Sequence, residues 1–180
     1  MRGLEHGHTA DAGRSNVRHR GNLTSVSTST PQIILVATDA DEVFDGIDAA
    51  LADSTTQVER VTAGREVLAA VRRLAPALVV LDLQIGNMGG VATCMGLRNE
   101  ESFGRIELQN ILILLDRSAD VFIAGRAGAD GWLIKPLNSL RLRKAVQQIL
   151  SGGTYTEGDA DPLETDPVGT AADPVTIETA

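Results

Sequence analysis

The sequence predicts a doubly wound α/β fold, in which a five-stranded parallel sheet carries helices on both faces. Three observations lead to this prediction. Short apolar runs alternate along the chain with stretches whose apolar residues recur at helical spacing. Hydrophobic residues make up 43% of the chain but aromatic residues only 3%, so the core must be built mainly from aliphatic side chains. Some runs contain no polar residue at all, which is typical of strands buried on both faces.

The elements follow one another in strand–helix order, which requires crossover connections and therefore a parallel sheet. Apolar residues spaced three and four apart over 43–51 predict the first helix, with Asp39 or Asp41 as its N-cap. Pro76 ends the second helix. The predicted strands are 33–37, 58–61, 77–81, 111–115 and 132–134, and the predicted helices are 43–51, 67–74, 91–97, 118–127 and 142–150.

The two ends of the chain differ from this alternating middle. Residues 1–30 predict a disordered arm, 31–150 the folded domain and 151–180 a disordered acidic tail. The tail holds seven acids and no Lys or Arg, so it accounts for most of the formal net charge of −8. The acidity argues against direct nucleic-acid binding, which needs clustered basic residues. The single cysteine, Cys94, is expected to be a reduced, half-buried thiol.

The sequence shows neither a secretory signal nor an apolar run long enough to cross a bilayer. We therefore expect a cytoplasmic protein without membrane insertion.

Charged residues follow three of the predicted strands at their carboxyl ends. Asp39 comes after the first strand, Asp82 after the third and Lys135 after the fifth. With the strand order 2-1-3-4-5, these ends lie side by side, so the three side chains would converge on one cleft. Two neighbouring carboxylates favour a hydrated Mg²⁺ between them. An ionised carboxylate can also attack phosphorus without a general base, while the metal and the lysine balance the charge of the phosphoryl oxygens.

Three sequence blocks resemble the signatures of response-regulator receiver domains from two-component signalling. They are ILVATD at 34–39, LVVLDL at 78–83 with MGG behind it, and AGADGWLIKP at 127–136. The resemblance covers about residues 32–150 and implies the flavodoxin-like form of the predicted fold. It also implies a cis peptide before Pro136, in keeping with the general preference of cis bonds for X-Pro.

The resemblance assigns roles to individual residues. It implies that Asp82 is the phosphoacceptor and that Lys135 pairs with the phosphoryl group. It further implies that Asp39, Asp82 and the backbone carbonyl of Gln84 hold Mg²⁺. Trp132 falls at the aromatic switch position of the family, where simple core packing is an equally good interpretation.

Some positions depart from the family pattern. Thr38 stands where a second acid is usual, which predicts weaker Mg²⁺ binding, and Gly86 replaces a common proline, which predicts a more flexible loop. The switch hydroxyl is replaced by Leu115, or by Asp116 if the alignment slips by one residue. Leucine donates no hydrogen bond, and aspartate would repel a phosphate. Two interpretations follow: Asp82 is phosphorylated with an altered response, or the domain is a phosphorylation-independent scaffold. The charged residues of the site are present, which favours the first.

The expected function is that of a single-domain, non-enzymatic regulator in a phosphorelay. The phosphoryl group would come from a sensor histidine kinase or a phosphotransfer protein, and the output would pass to a downstream protein partner, with a homodimer as a further option. Basic residues around the last two helices suggest an acidic partner surface: Arg117, Arg126, Arg141, Arg143 and Lys144.

An enzyme is a remote alternative. Residues 36–43 also resemble the opening motif of haloacid-dehalogenase-type phosphatases, with Asp39 as the nucleophile and Asp41 as the general acid. That family needs a hydroxyl residue after a later strand, where this chain has Leu115.

Overall fold

The computed structural model describes residues 31–158, along which strands and helices alternate as predicted. The strands are β1 Gln32–Ala37, β2 Thr56–Val61, β3 Leu78–Asp82, β4 Ile111–Leu115 and β5 Gly131–Ile134. The helices are α1 Asp41–Leu51, α2 Val67–Leu74, α3 Gly90–Ser102, α4 Val121–Arg126 and α5 Ser139–Leu150, with short 3₁₀ helices at Gly64–Glu66 and Ser118–Asp120. None of the helices in this part of the chain combines the length and apolar character needed to cross a membrane.

The strands form one parallel sheet in the order β2-β1-β3-β4-β5. This order was predicted, and it leaves β5 at one edge. Ala37 of β1 pairs with Leu81 of β3, and Leu115 of β4 pairs with Ile134 of β5. The carboxyl ends of these four strands therefore finish at nearly the same level.

Alternate residues of the central strands enter two separate cores. On one face, residues such as Leu35 and Leu81 pack against α2, α3 and α4. On the other face, residues such as Val36 and Val80 pack against α1 and α5. Because both faces are covered, β3 and β4 are buried along their whole length, which explains why their sequences are so uniformly apolar.

The predicted cap of α1 is wrong. Ala40 occupies the N-cap position and provides no side-chain hydrogen bond. Asp41 is the first helical residue and pairs with Arg60 of β2 at 2.7 Å. Asp39 is directed elsewhere, to a backbone N–H of Gly86.

The predicted end of the domain at Leu150 is too early. After α5 the chain turns back, and Tyr155 pairs with Gly131 at the outer edge of β5. Residues 151–158 therefore have a defined place in the fold. Residues 1–30 and 159–180, predicted to be disordered, lie outside the described residues. Cys94 is fully buried rather than half-buried.

Candidate functional site

The candidate site lies at the carboxyl ends of β1, β3, β4 and β5. Asp82 is the last residue of β3, while Asp39, Asp116 and Lys135 follow the other three strands closely. Hydrogen bonds join Asp82 and Asp116 to Lys135. Of the three side chains predicted to converge, Asp82 and Lys135 are in contact, whereas Asp39 contacts the backbone N–H of Gly86.

Asp82 is buried, with 2% of its surface exposed, yet both of its carboxylate oxygens have partners. Its Oδ1 accepts from Lys135 Nζ at 2.7 Å and from the backbone N–H of Gln84 at 3.3 Å. Its Oδ2 accepts from Thr38 Oγ1 at 2.8 Å. A buried carboxylate stays ionised only if such donors and an opposite charge compensate its lost hydration. Asp82 is thus a buried carboxylate held by donors from the ends of β1 and β5 and from the loop after β3.

The Thr38 hydroxyl stabilises Asp82, a role that the sequence did not predict. Where a second acid would repel Asp82, the Thr38 hydroxyl donates to it. The same oxygen accepts from the N–H of Ala40, which links the start of α1 to the site. The sequence indicates this contact only by placing a short polar side chain directly after a strand.

Lys135 bridges two carboxylates. Besides Asp82, its Nζ contacts Asp116 Oδ1 at 3.1 Å. Burial alone would lower the pKa of Lys135, but the hydrogen bonds and charges of Asp82 and Asp116 raise it above its ordinary value. The sequence places Asp116 at the switch position if the alignment slips by one residue. Instead it belongs to the charged cluster, while Arg117 pairs with Asp120.

Asp39 is exposed, and its Oδ2 accepts from the N–H of Gly86 at 3.2 Å. The carbonyl of Gly86 in turn accepts from the N–H of Gly64 at 3.1 Å. A Cβ added at Gly64 would collide with the carbonyl of Met88, so only glycine permits this close approach. The loop after β3 is therefore tied on both sides at Gly86, the position where the sequence suggested flexibility.

The site offers a limited donor set for a divalent cation. Within residues 31–158 no three acidic, histidine or cysteine side chains are grouped as a metal cage. Mg²⁺ retains several waters and commonly uses one or two carboxylates, so Asp39 and Asp82 suffice in kind. Gln84 is exposed beside them, and its carbonyl receives no hydrogen bond within the described residues. The donor types fit Mg²⁺, with one carboxylate fewer than usual because Thr38 stands in its place.

The two predicted switch positions are both in the core. Leu115 is fully buried, and its carbonyl accepts from the N–H of Lys135 at 2.8 Å. Ser118, the nearest hydroxyl further along, is exposed. Trp132 is 8% exposed and packs against α4, while its indole Nε1 donates to the carbonyl of Glu157 at 2.8 Å. Core packing of Trp132 is thus confirmed, and its indole holds a segment that was predicted to be disordered.

The phosphatase alternative finds no support in the geometry. Its two aspartates point to different partners, Asp39 to Gly86 and Asp41 to Arg60. The side chain of Asp41 is 85% exposed and lies beside β2, away from the charged cluster. A nucleophile and a general acid must face the same reacting group.

Comparison with known proteins agrees with this description. The profile of the response regulator receiver domain matches residues 34–147. The nitrate/nitrite response regulator protein NarL of Escherichia coli is 30% identical over 129 residues, which is 71% of this chain and 58% of that protein. The DNA-binding response regulator MtrA of Mycobacterium tuberculosis is 32% identical over 108 residues, or 56% of this chain and 46% of that protein. The chain thus spans about half the length of these curated relatives.

Solved structures share the architecture. The chemotaxis response regulator CheY4 of Vibrio cholerae superposes with a TM-score of 0.59 at 24% identity, covering 67% of this chain and 99% of that one. A putative response regulator from Chloroflexus aurantiacus gives a TM-score of 0.61 at 24% identity, covering 67% and 98%. At these identities the likeness bears on the fold alone, and it confirms the predicted strand order and helix arrangement.

Proposed function

Because the chain belongs to the response-regulator receiver family of two-component systems, we propose that it receives a phosphoryl group on Asp82 and passes the signal on through protein contacts. Receiver domains are signalling modules that interact with histidine kinases or phosphotransfer proteins. The donor here would be a sensor histidine kinase or a phosphotransfer protein.

One observation carries the proposal: Lys135 Nζ lies 2.7 Å from Oδ1 of the buried carboxylate of Asp82. In the proposed step, an Asp82 oxygen forms a bond to phosphorus while the bond from phosphorus to the donor's leaving group breaks. The leaving group departs with the electron pair of that bond, and the carboxylate becomes an acyl phosphate. Lys135 can then turn its ammonium from the carboxylate to a phosphoryl oxygen, because the negative charge moves outward onto the phosphate.

Receiver domains generally bind Mg²⁺ at the phosphorylation site. In this chain we assign Mg²⁺ to Asp39, Asp82 and the backbone carbonyl of Gln84. When bound, the ion supplies charge neutralisation for the phosphoryl oxygens. Thr38 donates to one Asp82 oxygen, and Lys135 and the N–H of Gln84 donate to the other.

The wider setting belongs to the same proposal. The curated relatives include regulators named for DNA binding, and they are about twice as long as the matched region. For this chain we propose a receiver domain that contacts a downstream protein and not nucleic acid, has no enzymatic turnover of its own and works in the cytoplasm. A homodimer remains compatible with it.

The direct test is incubation with acetyl phosphate and Mg²⁺, followed by intact mass measurement. We expect one added phosphoryl group in the natural chain and none in Asp82→Asn. Asp116→Asn is the matched control, because Asp116 contacts the same lysine without being the proposed acceptor. A phosphoryl group that survives Asp82→Asn and disappears in Asp116→Asn would move the acceptor to Asp116, and no mass gain at any Mg²⁺ concentration would remove the proposal.

A second function is favoured by one specific feature. Leu115 fills the switch position with a buried aliphatic side chain, so no hydroxyl of that residue can follow a phosphate. The domain could then serve as a phosphorylation-independent scaffold. Amide NMR shifts in α4 and β5 discriminate the two: shifts that change on phosphorylation indicate a signalling receiver, and shifts that stay constant indicate the scaffold.

A further inference from the structure

The chain reverses direction after α5 and returns to the sheet. Gly152, at φ +82°, forms the turn, and the N–H of Gly153 donates to the carbonyl of Gln148 at 3.0 Å. The side chain of Gln148 donates in turn to the carbonyl of Thr154 at 2.6 Å. This anchored reversal directs residues 154–158, hereafter the edge segment, along the outer side of β5.

The edge segment binds the free side of β5 with backbone groups first. The N–H of Tyr155 donates to the carbonyl of Asp130 at 3.1 Å, and the N–H of Trp132 donates to the carbonyl of Tyr155 at 2.8 Å. Two residues later, the carbonyl of Glu157 accepts from the indole of Trp132 at 2.8 Å. Since β5 is the edge strand, these groups would otherwise be open for pairing with another chain.

Glu157 completes the pairing with its side chain. Its Oε2 accepts from the N–H of Ile134 at 3.0 Å and from Arg141 Nη1 at 3.3 Å. A carboxylate thus stands where the next backbone carbonyl of a paired strand would be. The edge of β5 therefore presents two kinds of site side by side, one for an extended backbone and one for an acidic side chain.

The basic residues around α4 and α5 indicate which side chains of a partner the β5 edge could bind. Of those predicted to face an acidic partner, Arg141 binds a carboxylate here. Arg117 pairs with Asp120 instead. Arg143 was predicted to face the partner, but this is wrong: it donates to the carbonyl of Ala50 in α1. Of these three arginines, Arg141 is the one that binds a carboxylate at the β5 edge.

Two features suggest that the edge segment can be exchanged. It forms a single bridge and not a continuous ladder, and several of its residues are exposed, such as Thr154 and Thr156. Phe122 of α4 and Leu140 of α5, on the two helices that pack against β5, are 71% and 76% exposed. A larger partner at this edge would gain apolar area that the edge segment leaves uncovered.

We propose that the β5 edge is a docking site for an extended segment of a partner protein that carries a glutamate two residues after its paired residue, and that residues 154–158 occupy this site as an intramolecular competitor. The partner's segment would add to β5 by backbone hydrogen bonds, and its carboxylate would replace Glu157 against Ile134 and Arg141. The proposal does not depend on phosphorylation of Asp82.

The first test concerns occupancy of the edge in the full chain. Amide exchange of Trp132 and Ile134 is compared between the natural chain and Glu157→Ala, with Thr156→Ala as a control in the same segment. We expect Ile134 to exchange about tenfold faster or more in Glu157→Ala and to be unchanged in the control. Far-UV circular dichroism checks that each variant is folded. Equal protection of Ile134 in the natural chain and in Glu157→Ala would overturn the proposal.

The second test concerns docking. The double variant Tyr155→Pro/Glu157→Ala removes the backbone donor and the carboxylate and so empties the edge. A synthetic peptide with the sequence of residues 152–158 is titrated into it, and emission of the single tryptophan, Trp132, reports binding. We expect binding at least about tenfold tighter than to the natural chain, whose own segment must first leave, and we expect the same peptide with alanine for its glutamate to bind poorly.

Three results would reject the docking assignment. Equal affinity of the peptide for the natural chain and the emptied variant would exclude intramolecular competition. Absence of binding to the emptied variant would exclude the docking site itself. A dimer of the natural chain that dissociates in the emptied variant would mean that the segment is exchanged between two copies.

Discussion

The hydrogen bond between Thr38 and Asp82 offers the sharpest test of how the charged site is stabilised. Thr38→Val keeps the shape of the side chain and removes only the hydroxyl. Thr38 is fully buried and Asp82 is nearly so. The oxygen of Asp82 that loses its donor at 2.8 Å is thus poorly placed to gain a water molecule instead.

The expected cost follows from the charge of the acceptor. A hydrogen bond to an ionised group contributes about 1.5–3 kcal/mol, and we take about 2 kcal/mol because Lys135 still balances the carboxylate. For a domain of this size each kcal/mol corresponds to about 4 °C in Tm, so Thr38→Val should melt about 8 °C lower. Thr38→Ser, which keeps the hydroxyl, should lose much less.

The assay is urea and thermal unfolding followed by circular dichroism, with Thr93→Val as the comparison. Thr93 is also buried, but its hydroxyl donates to the neutral carbonyls of Met88 and Gly89, so its loss should cost only about 1 kcal/mol.

The N–H of Ala40 also loses an acceptor in Thr38→Val, which a double-mutant cycle with Asp82→Asn separates from the bond to the carboxylate. In the Asp82→Asn background the cost of Thr38→Val should fall by about 1 kcal/mol, because the remaining acceptor is neutral. If the valine substitution costs the same whether residue 82 is charged or neutral, the charge of Asp82 is not what the hydroxyl stabilises.

Three further outcomes are expected. The pKa of Lys135 is raised in the folded state, so its ion pairs stabilise the fold fully below the ordinary lysine pKa of 10.5. This stabilisation is lost as pH rises through the folded-state pKa. The free energy of unfolding of the natural chain should therefore fall more steeply above about pH 10.5 than that of Lys135→Met. Burial raises the pKa of the Cys94 thiol to about 11. At pH 8, well below that value, a thiol reagent should therefore react far more slowly with the native chain than with the urea-unfolded chain. Equal reaction rates would contradict the burial of Cys94. Asp130→Ala removes both the ion pair with Arg98 and the acceptor for the N–H of Ile111. Urea unfolding should show a loss of about 2 kcal/mol in the free energy of unfolding. A loss below about 0.5 kcal/mol would mean that the ion pair behaves like an ordinary exposed pair.

The amino-acid pattern alone predicts the fold and the edge of the sheet at which the charged residues lie. Apolar runs such as those of β3 and β4 leave no choice but burial on both faces, and their alternation with helices requires a parallel sheet. Once the strands are parallel, any charged residue placed directly after a strand reaches the same edge. The order of the strands therefore suffices to assign Asp39, Asp82 and Lys135 to one edge of the sheet.

The partners of these charged side chains depend on contacts between residues that are far apart in the chain. Thr38 and Asp82 are 44 residues apart in the chain, Asp116 and Lys135 are 19 apart, and both contacts depend on register between strands. Periodicity is a local property and carries no information on such pairs. The predicted N-cap of α1 is wrong for a similar reason: the side chain of Asp41 pairs with Arg60 in β2, a contact that local periodicity does not show.

The segment after α5 shows the limit most clearly. Its composition of Gly, Thr and acids is typical of disorder, and it contains no apolar repeat. What orders residues 154–158 is the row of unpaired donors on β5, together with the indole of Trp132 and the guanidinium of Arg141. Those groups come together only when the sheet has formed and its last strand has been left at the edge.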